Sequence, residues 1–428
     1  MSVATKLAAL LEPVTGPLPI RIRAWDGSET GPADGPVLHV RSRRALRRLL
    51  WQPDELGIAQ AYITGEVDVP GGAAELARGL QLVWQRARAT GAGPVRLTAR
   101  QKLAAAGLAL RLGALGRRPA APASQARLSG GLHTRARDRA AIAHHYDLSN
   151  EFYGLLLDES MAYSCAYYEP SGLDLAAAQR AKLDLICRKL ELGPGRRLLD
   201  VGCGWGSLSL HAAEHYGAQV LGVTISGQQH EFISKQIAER NLGDRVEVRV
   251  QDYREVAEGA FDAVASIEMG EHVGQDNYPS YAAVLHRHLK PQGRLLLQQM
   301  SRHAGTAPGG GAFIENYIAP DMHMRPLSQT LGFLERAGFE IREVQALREH
   351  YVRTVEDWLE TFEAHYGDAV AMVGEEVARV WRLYLVGGGL SFAEARMGVD
   401  QILAVRPDDR GGSGLPPGPD WHHRGVVQ

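Results

Sequence analysis

Residues 196–213 read RRLLDVGCGWGSLSLHAA. Leu198, Leu199 and Val201 form a short apolar run, the pattern of a strand buried in a sheet. Gly202, Gly204 and Gly206 follow, and after them the apolar residues recur at helical spacing. Glycine lets the backbone turn sharply and approach a ligand closely. The helix N-terminus beyond the turn offers unpaired N–H groups. Strand, glycine turn and helix predict a nucleotide-cofactor site on a doubly wound α/β sheet.

A dinucleotide site would carry G-x-G-x-x-G, with an acidic residue about 20 positions on to hold a ribose. The spacing here is G-x-G-x-G, and the next apolar segment, QVLGVTIS at 219–226, ends in Thr224 and Ser226 without a carboxylate. With Asp200 just ahead of the first glycine, the turn suits an S-adenosylmethionine-dependent methyltransferase better than a nicotinamide enzyme.

Downstream, strand and helix patterns alternate. Strands are predicted at 197–201, 219–224, 245–250, 261–267 and 293–300, with helices at 206–215, 227–240 and 277–289. This rhythm gives a mostly parallel sheet covered on both faces. Ligands bind at the carboxyl ends of such strands, where Gly202 to Gly206, Thr224 to Ser226, Gln251 to Tyr253 and Glu268 to His272 fall. The Gly-rich segment 301–326 reads as a long loop at the active end of the sheet, functional or disordered. A helix at 328–337, a strand near 340–348 and helices over about 355–403 complete the domain, and the tail 407–428 reads as disordered.

Upstream, RRPAAPASQARLSGG at 117–131 has linker composition. It divides an N-terminal domain, 1–116, from a catalytic domain, 132–406. No Asp or Glu lies between Glu75 and Asp138, an interval rich in arginine, and RSRRALRR supplies Arg41, Arg43, Arg44, Arg47 and Arg48. Such a surface would be drawn to anionic lipid head groups or to nucleic acid, or would simply be solvated. The segment 99–115, with leucine, alanine and basic residues, predicts a weakly amphipathic helix able to lie on a bilayer or to pack against its own domain.

Three cysteines, Cys165, Cys187 and Cys203, make no disulfide framework. No apolar window reaches the length of a membrane span, and no signal peptide is predicted. The expectation is a cytoplasmic enzyme that meets the inner face of the membrane peripherally. His144 and His145 have no second Cys/His pair at metal spacing, so no metal is expected.

In order along the chain, HYDLSNEFY, YSCAYY, LLDVGCGWG, GVTIS and EHVG resemble the cyclopropane-fatty-acid synthases and mycolic acid methyltransferases. The resemblance covers about 135–405. SIEMGEHVG, LLLQQMSR and NYIAPDMHM are most similar to the branch that makes 10-methylene, tuberculostearic-type fatty acids. It implies a Rossmann-like class I S-adenosylmethionine methyltransferase fold with a smaller α+β N-terminal domain. Tyr163 and Ser164 would meet the methionine end of the cofactor over Gly202 and Gly204. Thr224, Ile225 and Gln229 would hold the ribose region, and Asp252, Tyr253 and Ile267 the adenine. Cys165, Glu271 and Tyr317 match positions lining a bicarbonate site, whereas Gln298 stands where the cyclopropane formers carry a histidine, which removes one bicarbonate ligand.

The acceptor expected from the resemblance is a cis double bond in a phospholipid acyl chain. Methylation of an alkene leaves a carbocation, and its fate, ring closure or hydride shift, separates cyclopropane from methylene. Either outcome needs a base and the exclusion of water. Glu271 is the expected base or its anchor, or else pairs with His272 or His145. Cys165 is expected to line the site rather than to attack. The methylene product would need a partner reductase, and a homo-oligomer is left open. A lipid-binding scaffold, a nicotinamide oxidoreductase and a nucleic-acid methyltransferase are the competing readings.

Overall fold

The computed structural model describes residues 1–89, 98–134, 137, 138, 140, 141, 149–169, 171–418 and 421. The chain divides into two compact units. The first comprises residues 1–126, 311–318 and 359–390, and the second comprises 127–310, 319–358 and 391–428. The break at Ala126 falls inside the linker-like segment. Two later segments also join the first unit, because residues 359–390 carry apolar side chains that its helices bury. Leu359, Leu383, Val386 and Leu390 pack around Tyr62, Ala73 and Leu76.

In the first unit, β1 (Arg21–Arg23), β2 (Glu29–Thr30), β3 (Val37–Val40) and β4 (Val67–Asp68) form a sheet in the order β2-β1-β3-β4. β1 runs parallel to β3, and the outer pairs are antiparallel. Helices Val3–Thr15, Arg43–Trp51 and Glu55–Ile63 begin at Ser2, Ser42 and Asp54, whose side chains accept hydrogen bonds from first-turn N–H groups. Leu7, Ile22, Val40, Leu46 and Val67 fill the core.

The basic run RSRRALRR is not simply a cationic surface. Arg48 is 2% exposed and forks onto Glu66, with both N···O distances 2.9 Å. Its Nη1 donates to Gln60 and to the Ala120 carbonyl, each at 3.1 Å. Arg44 also meets Glu66 at 3.0 Å, Arg47 donates to the Ala114 carbonyl, and Arg41 pairs with Asp68. Much of this cluster is spent on internal pairing.

The second unit is built on seven strands: β5 (Arg197–Val201), β6 (Gln219–Thr224), β7 (Val246–Val250), β8 (Phe261–Ile267), β9 (Leu289–Ser301), β10 (Glu340–Ala346) and β11 (Gly398–Val405). Their order is β10-β11-β9-β8-β5-β6-β7. β5 to β9 run parallel, and β11 is antiparallel to both β9 and β10. Strand side chains alternate between faces, so Leu198 packs with Leu183, Ile186 and Leu208 on one side, and Leu199 with Tyr281, Leu285 and Leu297 on the other. Both faces are covered by helices, as the apolar strands required. The strand order reverses at β5, which puts the glycine turn at the switch point where such sheets bind ligands.

Three expectations are corrected here. Residues 398–405 form strand β11 rather than the end of a helix; buried Asp400 and Gln401 interrupt an otherwise apolar strand. Residues 312–317 of the expected loop form a short helix within the first unit. The tail is pinned where it is described. Asp408 accepts from Gln292 at 2.7 Å, and Trp421 is 6% exposed, its Nε1 donating to Glu343 at 2.6 Å. The cysteines are buried and unpaired, and burial pushes each thiol well above its ordinary pKa.

Candidate active site

All ten residues expected at the cofactor (Tyr163, Ser164, Gly202, Gly204, Thr224, Ile225, Gln229, Asp252, Tyr253 and Ile267) line one cavity of the second unit. Eight of them are placed by the sheet, because the carboxyl ends of β5, β6, β7 and β8 and the segments leaving them converge there, whereas Tyr163 and Ser164 come from the segment ahead of the helix Leu175–Lys189. Gly202 and Gly204 have φ of +76° and +57°, the left-handed region that side chains rarely adopt. The N–H groups of Gly202 and Cys203 both donate to the Val223 carbonyl, which fixes the turn against β6. Nothing lies within 4 Å of where a Cβ would stand on Gly204, so the turn opens onto free space.

Around that space, Asp200 accepts from Ser209 Oγ at 2.7 Å, and burial raises its carboxyl to about 6. Thr224 Oγ1 donates to Gln229 Oε1 at 2.7 Å. Asp252 caps the following turn through Arg254 N and pairs with the Arg254 guanidinium at 2.6 Å. Tyr163 packs its ring against Tyr153 and Trp358, with centroids 5.6 and 5.3 Å away. Ser164 Oγ accepts from the buried ammonium of Lys182 at 2.9 Å.

The residues expected on the acceptor side separate. Cys165 and Gln298 converge on a carboxylate that the sequence did not single out, Glu268. Its Oε1 accepts from Cys165 N at 2.8 Å and from Gln298 Nε2 at 2.7 Å, and its Oε2 accepts from the Tyr351 hydroxyl at 2.6 Å. Glu268 lines the same cavity as the glycine turn and Lys182. It holds a left-handed backbone, φ +51°. Burial raises its carboxyl, while Tyr351, Cys165 N, Gln298 and the Lys182 charge oppose that rise.

Glu271 is fully buried with Oε1 accepting from Met300 N at 2.6 Å. Its carboxyl is pushed up to about 8, by burial first and by the charge of Glu268 second. It is not among the residues lining the cavity, and His272, which is, has its imidazole pushed down to about 4 by burial. Tyr317 belongs to the first unit, where its ring stacks on Phe313 at 5.7 Å. His144 and His145 lie outside the described residues. Glu268 and Glu271 stand three residues apart after β8, and spacing alone does not say which one faces the cavity.

A family model for mycolic acid cyclopropane synthetases matches residues 133–402. The chain belongs to that family. Among its relatives is a probable fatty acid methyltransferase of Mycobacterium tuberculosis, 36% identical over 430 residues that cover 97% of this chain and 98% of the relative. The tuberculostearic acid methyltransferase UfaA1 of the same organism is 32% identical over 411 residues, 91% of this chain and 88% of the relative. Among solved structures, the cyclopropane synthase MmaA2 from M. tuberculosis matches with a TM-score of 0.60 at 31% identity, covering 64% of this chain and 99% of that one. The mycolic acid cyclopropane synthase CmaA1, complexed with SAH and CTAB, matches at 0.59 and 32%, covering 62% and 97%.

The second unit thus has the class I methyltransferase fold, and this cyclopropane synthetase family member is an S-adenosylmethionine-dependent lipid methyltransferase. The cavity suits that cofactor. It offers open space above Gly204, the carboxylates of Asp200 near the end of β5 and of Asp252 just past β7, and the hydroxyls of Ser164 and Thr224.

Proposed function

We propose that the enzyme methylates the cis double bond of an oleoyl-like phospholipid acyl chain and releases a 10-methylene fatty acyl product. The observation that carries this reading is the Glu268 carboxylate, held in the cofactor cavity by Cys165 N, Gln298 and Tyr351. The bound cofactor supplies an electrophilic methyl on a sulfonium. Tyr163, Ser164 and the glycine turn orient it, and the cavity wall excludes water that would otherwise quench a carbocation. Methyl addition leaves the charge on the neighbouring alkene carbon. A hydride then shifts from the methyl-bearing carbon, and one methyl proton leaves to form the exocyclic double bond. Glu268 takes that proton. A fixed side-chain carboxylate makes a borrowed bicarbonate unnecessary, in keeping with the glutamine at position 298. Glu271, which holds its own proton near neutral pH, is a neighbour rather than the base.

The site is supplied from the membrane surface. Leu103 and Leu110 lie two turns apart on the helix Ala99–Arg111, 75% and 67% exposed, with Arg111 and Arg117 exposed nearby. An apolar stripe flanked by cations suits the inner face of an anionic bilayer. No helix of the described residues is long and apolar enough to cross one. A flavin- or nicotinamide-dependent reductase would convert the methylene to a methyl branch.

The test is incubation with S-adenosylmethionine and dioleoyl phosphatidylglycerol vesicles, followed by mass spectrometry of the fatty acid methyl esters. The chain gains one CH2. Ozonolysis must then yield a mid-chain ketone, since an exocyclic methylene is cleaved and a cyclopropane is not. An ozone-resistant product would replace this reading with cyclopropanation. Glu268→Gln is expected to slow turnover by about 100-fold or more, with a much smaller change in S-adenosylhomocysteine affinity.

A further inference from the structure

Three glutamines stand side by side across the sheet. Gln298 on β9 is in register with Gln401 on β11, which is in register with Gln345 on β10. Gln298 and Gln401 are fully buried, as is Lys189 at the end of the helix Leu175–Lys189. The Lys189 ammonium donates to Gln345 Oε1 at 2.6 Å and to Gln401 Oε1 at 3.1 Å, and lies 2.8 Å from Glu343 Oε1. Gln401 Nε2 donates to Gln298 Oε1 at 2.9 Å, and Gln298 Nε2 donates to Glu268 Oε1 at 2.7 Å. A buried cation and the cavity carboxylate are therefore joined through two amides.

The direction of this chain is forced. An ammonium only donates and a carboxylate only accepts, whereas an amide can present either end. With Lys189 at one end, Gln401 must turn its oxygen towards the cation and its NH2 towards Gln298. Gln298 must then turn its NH2 towards Glu268. We propose that Lys189 is a positioning residue for the base, acting through Gln401 and Gln298 to keep an N–H aimed at the Glu268 carboxylate. This rests on the reading of Glu268 as the base. Without the cation, both amides can flip against the long contact of Gln298 Nε2 to the Cys165 carbonyl at 3.5 Å, and a carbonyl oxygen would then face Glu268, a geometry that only the protonated carboxyl tolerates.

Glu268 faces Lys182 from the helix, Cys165, the Tyr351 hydroxyl and, three residues on, Glu271. Lys189 faces Glu343, which also accepts from Trp421, and Gln345, whose NH2 lies 3.4 Å from the Tyr167 hydroxyl beside Glu169. Its backbone carbonyl accepts from Arg294. Of the two buried lysines among the described residues, Lys182 donates to Ser164, and Lys189 reaches Glu268 through hydrogen-bonded side chains.

The experiment is an infrared titration of the Glu268 carboxyl in the full-length protein, using Glu268→Gln as the difference blank. It is run on wild type, Lys189→Met, Gln401→Leu and the double variant, alongside pH profiles of methyl transfer to dioleoyl vesicles. In each single variant the Glu268 midpoint is expected to rise by about one pH unit. The acidic limb of kcat should move with it at unchanged KM for S-adenosylmethionine, and the double variant should match the singles. An unchanged midpoint in a folded variant, or additive shifts, overturns the relay. If Lys189→Met does not fold, Gln401→Leu carries the test, since it breaks the chain and keeps the cation. A shifted midpoint in a protein that methylates no lipid would leave the relay standing and remove the proposed function.

Discussion

Glu268 and Glu271 show how three residues of spacing after one strand separate two chemistries. Glu268 receives three hydrogen bonds, which favour its charged form. Glu271 receives one at Oε1, while its Oε2 is buried without a hydrogen-bond partner. A carboxyl whose pKa is raised to about 8 in the folded state binds a proton there that the unfolded chain releases near 4.5. Its stabilising contribution is complete below that lower value and is lost as pH rises through about 8. Glu271→Gln stays neutral throughout, so its urea midpoint should gain on wild type from about pH 5 to about pH 9. A constant difference across that range would mean that Glu271 is ionised in the fold. The ten cavity residues were legible through the family resemblance, and eight of them also lie at or just past the ends of recognisable strands, whereas Tyr163 and Ser164 follow no strand. The choice between two nearby glutamates was not, because it depends on the left-handed backbone at Glu268 and on partners from positions 165, 298 and 351.

Among the elements, the glycine turn after β5 was readable and β11 was not, for opposite reasons. Glycine advertises backbone freedom in the sequence itself. β11 hides Asp400 and Gln401 in its interior, satisfied by Ser301 Oγ at 2.8 Å and by the amide row, so its apolar run looks broken. The turn makes a graded prediction. A Cβ on Gly202 would stand 2.8 Å from Met269 Cγ at φ +76°, whereas one on Gly204 meets the same backbone penalty but no atom within 4 Å. Gly202→Ala should therefore cost more than the roughly 1–2 kcal/mol of the left-handed backbone alone. It should weaken S-adenosylhomocysteine binding by about tenfold in calorimetry. Gly204→Ala should show the backbone penalty in a melt without that clash. Equal stability losses in the two variants would remove the Met269 contact as the cause.

At the scale of the molecule, composition suggested a cationic N-terminal third. The fold spends part of that charge internally, since a lone guanidinium of Arg48 is matched to Glu66, Gln60 and a carbonyl in a dry interior. Removing one partner of a buried pair leaves the other charge stranded, at a cost of about 3–5 kcal/mol. Arg48→Met should lower the unfolding free energy of the first unit by that amount, read by amide exchange around Trp25 and Trp51. Little change would mean that Glu66 finds water. Charge totals could not reveal this, because burial is set by which helix face meets the core.

Cys165, Cys187 and Cys203 all belong to the second unit; the first two are fully buried, and Cys203 stands in the cavity wall, 6% exposed. With S-adenosylhomocysteine filling that cavity, a thiol-reactive dye would stay silent on the folded protein, and every thiol it captured would date an opening of the catalytic half. The first unit, having no sulfhydryl, could come apart without tripping that alarm.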